Sequence, residues 1–156
     1  MPNAIIFKSP DMKRFGKYMA SNPDIMLKNA RIAMKKGTLL LERSMKKFAP
    51  SGEGTLRKSI IAEIKPFSGV VKAMAKHAVF VHEGTRPHFP PMTPNSSLDR
   101  WAKSKGIPTF LVARAIARKG TKAQPFRDEA VKYQEANIDK LAKKALNDTA
   151  NAIAKA

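Results

Sequence analysis

The apolar residues of this chain change period at Pro50, and that change rules out a uniform all-helical or all-strand architecture. Upstream, Met26, Ala30, Ala33, Gly37, Leu40, Leu41, Met45 and Phe48 recur at spacings of three and four, the stripe of a long amphipathic helix. Lys28, Arg31, Lys35, Arg43 and Lys46 fall mostly off that stripe. Asn22-Pro23-Asp24 opens the helix with a capping side chain, a proline at the first helical position and an acid at the positive end of the dipole. Pro50 biases Ala49 out of the helical region, and Ser51-Gly52-Glu53-Gly54 is loop chemistry. Beyond it the period is two: Leu56, Lys58, Ile60, Ala62 and Ile64 share one strand face, and Arg57, Ser59, Ile61, Glu63 and Lys65 the other.

Pro66-Phe67-Ser68-Gly69 is a turn, Val70 to Ala75 a second strand and Ala78 to Glu83 a third. The short links exclude parallel crossovers, so the strands make a small antiparallel meander of three or four strands. After Gly84 the passage Arg86 to Pro94 is too rich in proline for a central strand. Asn95-Ser96-Ser97 caps a helix from Leu98 to Lys105, stopped by Gly106, and Pro108 starts another over Thr109 to Lys119, stopped by Gly120. Pro125 opens the last long helix, with Phe126, Ala130, Tyr133, Ile138, Leu141, Ala145 and Ile153 as its apolar stripe. A further helix start, Ser9-Pro10-Asp11, predicts a short helix to about Ala20.

The expectation is one α+β domain over residues 1–156: an N-terminal arm with a short helix (1–21), a long helix and the meander (22–83), a Pro-rich loop with a helical insertion (84–124) and a long C-terminal helix (125–156). There is no internal repeat, and the alanine- and lysine-rich end from Leu141 reads as a helix fraying into solvent.

Thirty bases against twelve acids give a formal net charge of +18, which attracts nucleic acid, acidic protein surfaces or anionic membranes. Local concentrations are Lys35-Lys36, Lys46-Lys47, Arg114, Arg118-Lys119 and Lys143-Lys144. With no cysteine, disulfides, thiolate zinc sites and cysteine nucleophiles are excluded. The apolar run in MPNAIIFKSP is too short for a signal peptide, and no stretch approaches the roughly 20 apolar residues of a membrane span. The expectation is a soluble chain, cytoplasmic when made.

Candidate chemistry is sparse. His77, His82 and His88 lie close in sequence, but His77 and His82 differ in strand parity, and HEGTRPH lacks the helical HExxH spacing. The imidazoles are expected to be solvated at a strand edge, with no metal. Gly52, Gly54 and Thr55 lead into a strand without the Walker pattern, and Gly16-Lys17 is followed by Tyr18, so neither is a nucleotide site. No serine has a nucleophile-elbow context and no two acids form a catalytic pair. No catalytic, cofactor-binding or metal-ligating residue is therefore assigned. Glu83 either pairs with a nearby base such as Arg86 or bridges to another subunit; Phe89 and Trp101 either anchor the core or face a partner. No recognition helix, zinc finger or RNP motif is present, so any DNA contact runs through phosphates.

Two Gly-Thr turns, in HEGTRPHFPP from His82 and ARKGTKAQPF from Ala117, divide the chain. In order, the long helix, APSGEGTLRKSI (Ala49 to Ile60), HAVFVHEGTRPHFPP (His77 to Pro91), LDRWAKSKGI (Leu98 to Ile107), VARAIARKGTKAQPF (Val112 to Phe126) and a terminal helix resemble the tail-completion, or head–tail joining (neck), proteins of tailed bacteriophages and prophages. The likeness runs from about Asn22 to the C-terminus and rests on Pro50, Gly54, Leu56, Ser59, Glu83, Gly84, Thr85, Gly120, Thr121, Pro125 and Phe126. It implies a non-enzymatic minor tail protein of the virion neck, made in the host cytoplasm. It further implies a homo-oligomeric ring, hexameric in preference to dodecameric. The implied partners are a connector or head-completion protein and a tail terminator or tail tube protein, with non-specific contact to DNA in the channel. The helical insertion occurs in only part of that family. On this view the turns and the Pro-rich arm order on assembly, so the candidate interface residues are Glu83, Gly84, Thr85, Arg86, Pro87, Phe89, Trp101, Gly120, Thr121, Pro125 and Phe126. The alternative is a non-specific nucleic-acid-binding protein whose basic helices follow the phosphate backbone.

Overall fold

The computed structural model describes residues 23–52, 54–65 and 68–154. The expected N-terminal helix to Ala20, Asn22 and Gly16-Lys17, Glu53 and the Pro66-Phe67 part of the turn lie outside the described residues. Within them the order is α1 (Pro23–Phe48), α2 (Thr55–Ser59), β1 (Ile60–Lys65), β2 (Ser68–Ala73), α3 (Ala78–Glu83), α4 (Ser97–Ser104), α5 (Thr109–Lys119) and α6 (Phe126–Ala154). The architecture is α+β, with two long helices and a two-stranded antiparallel sheet.

Helices α1 and α6, about 39 and 43 Å long at 1.5 Å per residue, run antiparallel. Their register is set by polar pairs inside the seam. Asn29 Nδ2 donates to Thr149 Oγ1 at 3.0 Å near one end, and Gln134 Nε2 donates to the buried Ser44 Oγ at 2.6 Å near the other. Phe48 meets Tyr133 edge-on at 5.5 Å, with the Lys47 ammonium 4.6 Å from the Tyr133 ring centroid.

The hairpin packs on another side of α1. Ile60↔Ala73, Ala62↔Val71 and Ile64↔Gly69 are paired across the strands. Gly69 approaches so closely that a β-carbon there would sit 1.8 Å from Thr38 Oγ1. The outer face carries Glu63 between Lys72 and Lys65, whose ammonium groups, Lys72 foremost, hold its carboxyl below the usual carboxylate range. Met45, Ala49, Leu56, Ile60, Ala78, Phe126 and Ala130 form the core, where α1, the hairpin and the start of α6 meet.

Three expectations about the meander are corrected. Thr55–Ser59 is a helical turn, entered through Gly54 at φ 77° and braced by the Arg57 Nε donation to the Ala49 carbonyl at 2.9 Å, so β1 begins at Ile60. The second strand is Ser68–Ala73, ending two residues earlier than expected. The expected third strand, Ala78 to Glu83, is the helix α3. Its buried residues are Ala78 and His82, one helical turn apart, while Val79 and Phe80 project into solvent. A hydrogen bond from Val81 N to the His77 carbonyl at 3.0 Å closes the turn. His82, expected at a solvated edge, is buried edge-on against Phe126 at 5.6 Å.

Candidate interface: the Gly-Thr clasp and its arm

The two Gly-Thr turns meet. Thr85 and Thr121 form an antiparallel bridge, each backbone N–H donating to the other's carbonyl at 3.2 Å. Their hydroxyls lie 3.0 Å apart, and Thr85 Oγ1 also accepts from the Thr121 N–H at 3.1 Å. The glycines make this approach feasible. Gly84 (φ 76°, ψ −177°) and Gly120 (φ 71°, ψ −162°) occupy a backbone region that is essentially glycine's alone. A β-carbon on Gly84 would fall 2.5 Å from the Thr121 carbonyl oxygen, and one on Gly120 only 1.9 Å from that of Thr85.

The clasp is tied to the core on both sides. Gln124 N donates to the Val81 carbonyl at 2.9 Å, and Phe126, two residues on, is 2% exposed. His82, on the other branch, meets that phenylalanine edge-on, with its Nε2 3.6 Å from Asp128 Oδ2 and its Nδ1 buried without a hydrogen-bond partner among the described residues. Phe126 is therefore a core residue, and its expected place in an interface is corrected: its side chain is covered within the subunit.

Beyond the clasp, residues 86–119 form an arm built around Asp99. Ser96 Oγ accepts from the Asp99 N–H at 3.2 Å, an N-cap for α4. The Asp99 carboxylate accepts from Asn95 N at 3.0 Å, from Lys103 Nζ at 2.8 Å and from Thr109 Oγ1 at 2.7 Å, so one side chain joins the start of α4, its second turn and the first residue of α5. The Lys103, Thr109 and Asn95 donors together hold its pKa down to about 2. The two helices pack on each other, and Ala102 of α4 and Ala113 of α5 are both fully buried. Gly106 (φ 66°) and the bond from Ile107 N to the Ala102 carbonyl turn the chain between them.

Several of the arm's large apolar side chains are exposed. Phe89 is 59% exposed, Trp101 40%, Phe110 55% and Leu111 52%; Met92 and Ile107 are exposed too. Of the two roles left open for Trp101 and Phe89, the core anchor is excluded. Glu83, Arg86, Pro87, Thr121 and Pro125 are exposed around the clasp, Thr85 is half-buried, and among the described residues Glu83 makes no ion pair with Arg86 or any other base. The structure thus brings Gly84, Thr85, Gly120 and Thr121 into one bridge and spreads Arg86, Pro87, Phe89 and Trp101 over the arm. Reasoning from sequence missed Asp99; its Ser96-x-x-Asp99 capping spacing was the available signal.

Residues 86–122 carry eight bases against Asp99 alone, a net +7 of the chain's +18. Among the described residues, no three His, Asp or Glu side chains gather where they could hold a metal ion. A groove between α1 and α6, lined by Asn29, Ile32, Lys36, Leu141 and Asp148, has a volume of about 80 Å³, room for a few waters. No helix among the described residues is long and apolar enough to cross a membrane. No protein-family model, curated protein or solved structure matches the chain.

Proposed function

We propose that this chain is a structural subunit of a tailed-phage neck, completing the tail and joining it to the head connector as part of a homo-oligomeric ring. The observation that carries it is the clasp. Two glycines and two threonines, 36 residues apart in the chain, close the base of an arm whose aromatic and basic surface is left uncovered by its own subunit. Large exposed apolar and aromatic side chains of this kind suit docking. The likeness of the ordered segments to neck proteins supplies the assembly, the virion location and the connector, tail terminator or tail tube as partners. A non-enzymatic role belongs to the same proposal, as does non-specific contact between the basic surface and DNA in the channel.

Because Thr85 and Gly120 lie side by side, residues 86–119 can be excised and closed with an Asn-Gly turn. The excised chain should keep its helical circular dichroism and cooperative melting while joined particles no longer form. Normal joining by that chain would sink the proposal.

The net charge of +18 favours a second reading, a non-specific nucleic-acid binder. Such a protein holds duplex DNA at micromolar or better affinity and loses about one log unit per log salt for each phosphate contact. Salt-insensitive or absent binding in a titration with duplex DNA removes it.

A further inference from the structure

Helix α5 is apolar on both sides. Its inner side packs Ala113 against α4, and its outer side presents Phe110 and Leu111, each more than half exposed, with Arg114 and Arg118 among them. Phe110 and Leu111 on that outer side are left uncovered by the subunit itself. Neither arginine forms an ion pair among the described residues.

The complementary surface is on the same chain, in the first half of α6. Helix α6 holds five of the chain's twelve acids, and on its solvent side Asp128, Val131, Glu135 and Asp139 follow at spacings of three, four and four, which puts them on one face, three acids shared with the single base Lys132. All four are exposed, and Glu135 and Asp139 have no ion pair among the described residues. The buried stripe of Phe126, Ala130 and Gln134 lies on the opposite side.

We infer that the outer face of α5 docks on the Asp128–Asp139 strip of α6 in a second copy of this chain. Phe110 and Leu111 cover Val131, and Arg114 and Arg118 pair with Glu135 and Asp139. Contact pairs of this kind act within a few ångströms, whereas repulsion between the two +18 chains is largely screened beyond about 8 Å at physiological salt. The same face cannot pair with itself, because a two-fold contact would set arginine against arginine. The contact therefore joins two different faces, either reciprocally in a two-fold pair or head to tail, and in the second case it propagates into a ring or a filament. The inference rests on the ring proposed above only for closure; the pairing stands on the two faces alone.

The test is the mass of the full-length protein at about 150 mM salt, the regime in which only short-range pairs survive screening. Wild type should assemble. The variants R114E/R118E and E135K/D139K should each lose association by roughly 30-fold or more, the scale for truncating one side of a buried charge pair. Each should keep the wild-type circular dichroism. Mixed one to one, they should co-assemble, because the acidic α5 face of the first meets the basic α6 strip of the second. The chain carrying all four changes should assemble alone.

A wild type that stays monomeric overturns the inference, and so does a wild-type assembly indifferent to both double variants. Folded variants that do not co-assemble overturn it as well. Should R114E/R118E instead lose only affinity for duplex DNA, the α5 face belongs to nucleic acid and the inference falls. These outcomes leave the joining of heads to tails untouched, since that is read from particles formed with and without residues 86–119.

Discussion

Gly120 stands so close to Thr85 that a β-carbon at residue 120 would lie 1.9 Å from the Thr85 carbonyl oxygen, itself the acceptor for the Thr121 N–H. The contact is backbone against backbone, so no side chain can swing aside to relieve it. Gly120→Ala should cost about 2 kcal/mol or more, from the clash together with a backbone conformation that alanine rarely adopts. Exchange protection of the Thr85 and Thr121 amides should fall together, because the two form one bridge. Gly52→Ala, with nothing within 4 Å of the added carbon, should stay within about 0.5 kcal/mol of wild type. Unchanged melting and unchanged protection in Gly120→Ala would show that the clasp does not hold the base of the arm.

How far the fold can be read from sequence follows from spacing. The long stripe from Met26 to Phe48 is unambiguous, because residues three and four apart alternate over about six turns and no strand pattern mimics that. Leu56 and Ile60, like Ala78 and His82, are each four apart, and a spacing of four puts two residues on one face of a helix and of a strand alike. In those short segments the β-branched and aromatic residues Val79, Phe80 and Val81 tip the local preference toward strand. Packing of Ala78 and His82 into the core decides for helix. The Gly-Thr turns are visible as punctuation, but their pairing is not, since nothing local in either turn encodes a partner 36 residues away. Phe126 illustrates the same limit from the other side: a motif residue beside a turn looks like surface until the core it enters is known.

Gly69 and Thr38 fix how closely the hairpin lies on α1. A β-carbon on Gly69 would meet Thr38 Oγ1 at 1.8 Å, and that hydroxyl is already committed as donor to the Met34 carbonyl at 2.7 Å. Gly69→Ala should destabilise by about 1–3 kcal/mol, the range for overpacking a tight contact. In a Thr38→Ala background the same change should cost clearly less. The Thr38 Cβ, 3.0 Å from the added carbon, then remains as the tightest contact. A double-mutant cycle by urea denaturation measures the coupling; additive effects would mean that the sheet sits farther from the helix than described.

Acid should loosen the arm before the rest of the chain. Lys103, Thr109 and the Asn95 amide hold the Asp99 carboxyl down to about 2 in the folded arm, against 3.8 without them. A carboxylate depressed in the folded state contributes stability that is complete above the unfolded value and is lost as pH falls through the folded one. The loss therefore lies between about pH 4 and pH 2. Trp101 sits on α4, two residues from Asp99, and its fluorescence should report the transition. In Asp99→Asn that step should be missing and the arm already looser at neutral pH. An identical acid transition in both proteins would assign it to other carboxylates.

Gly37 offers a change in the opposite direction. It is buried in the middle of α1, where it faces Ile138 of α6, yet a β-carbon there would meet only the Ile138 Cγ1 at 3.9 Å, an ordinary van der Waals contact. Its helical backbone suits alanine, and glycine in a helix interior is about 1 kcal/mol less favourable than alanine. Gly37→Ala should therefore stabilise the chain by about 1 kcal/mol, seen as a rise in Tm of about 2–4 °C for a domain of this size. The Asn29–Thr149 and Ser44–Gln134 hydrogen bonds flank this position along the seam and constrain any sliding of the helices. A larger residue separates the two effects: Gly37→Leu must push α6 away and should destabilise by about 1–3 kcal/mol. Were Gly37→Ala also destabilising, the two long helices would have to approach more closely at this point than the 3.9 Å contact allows.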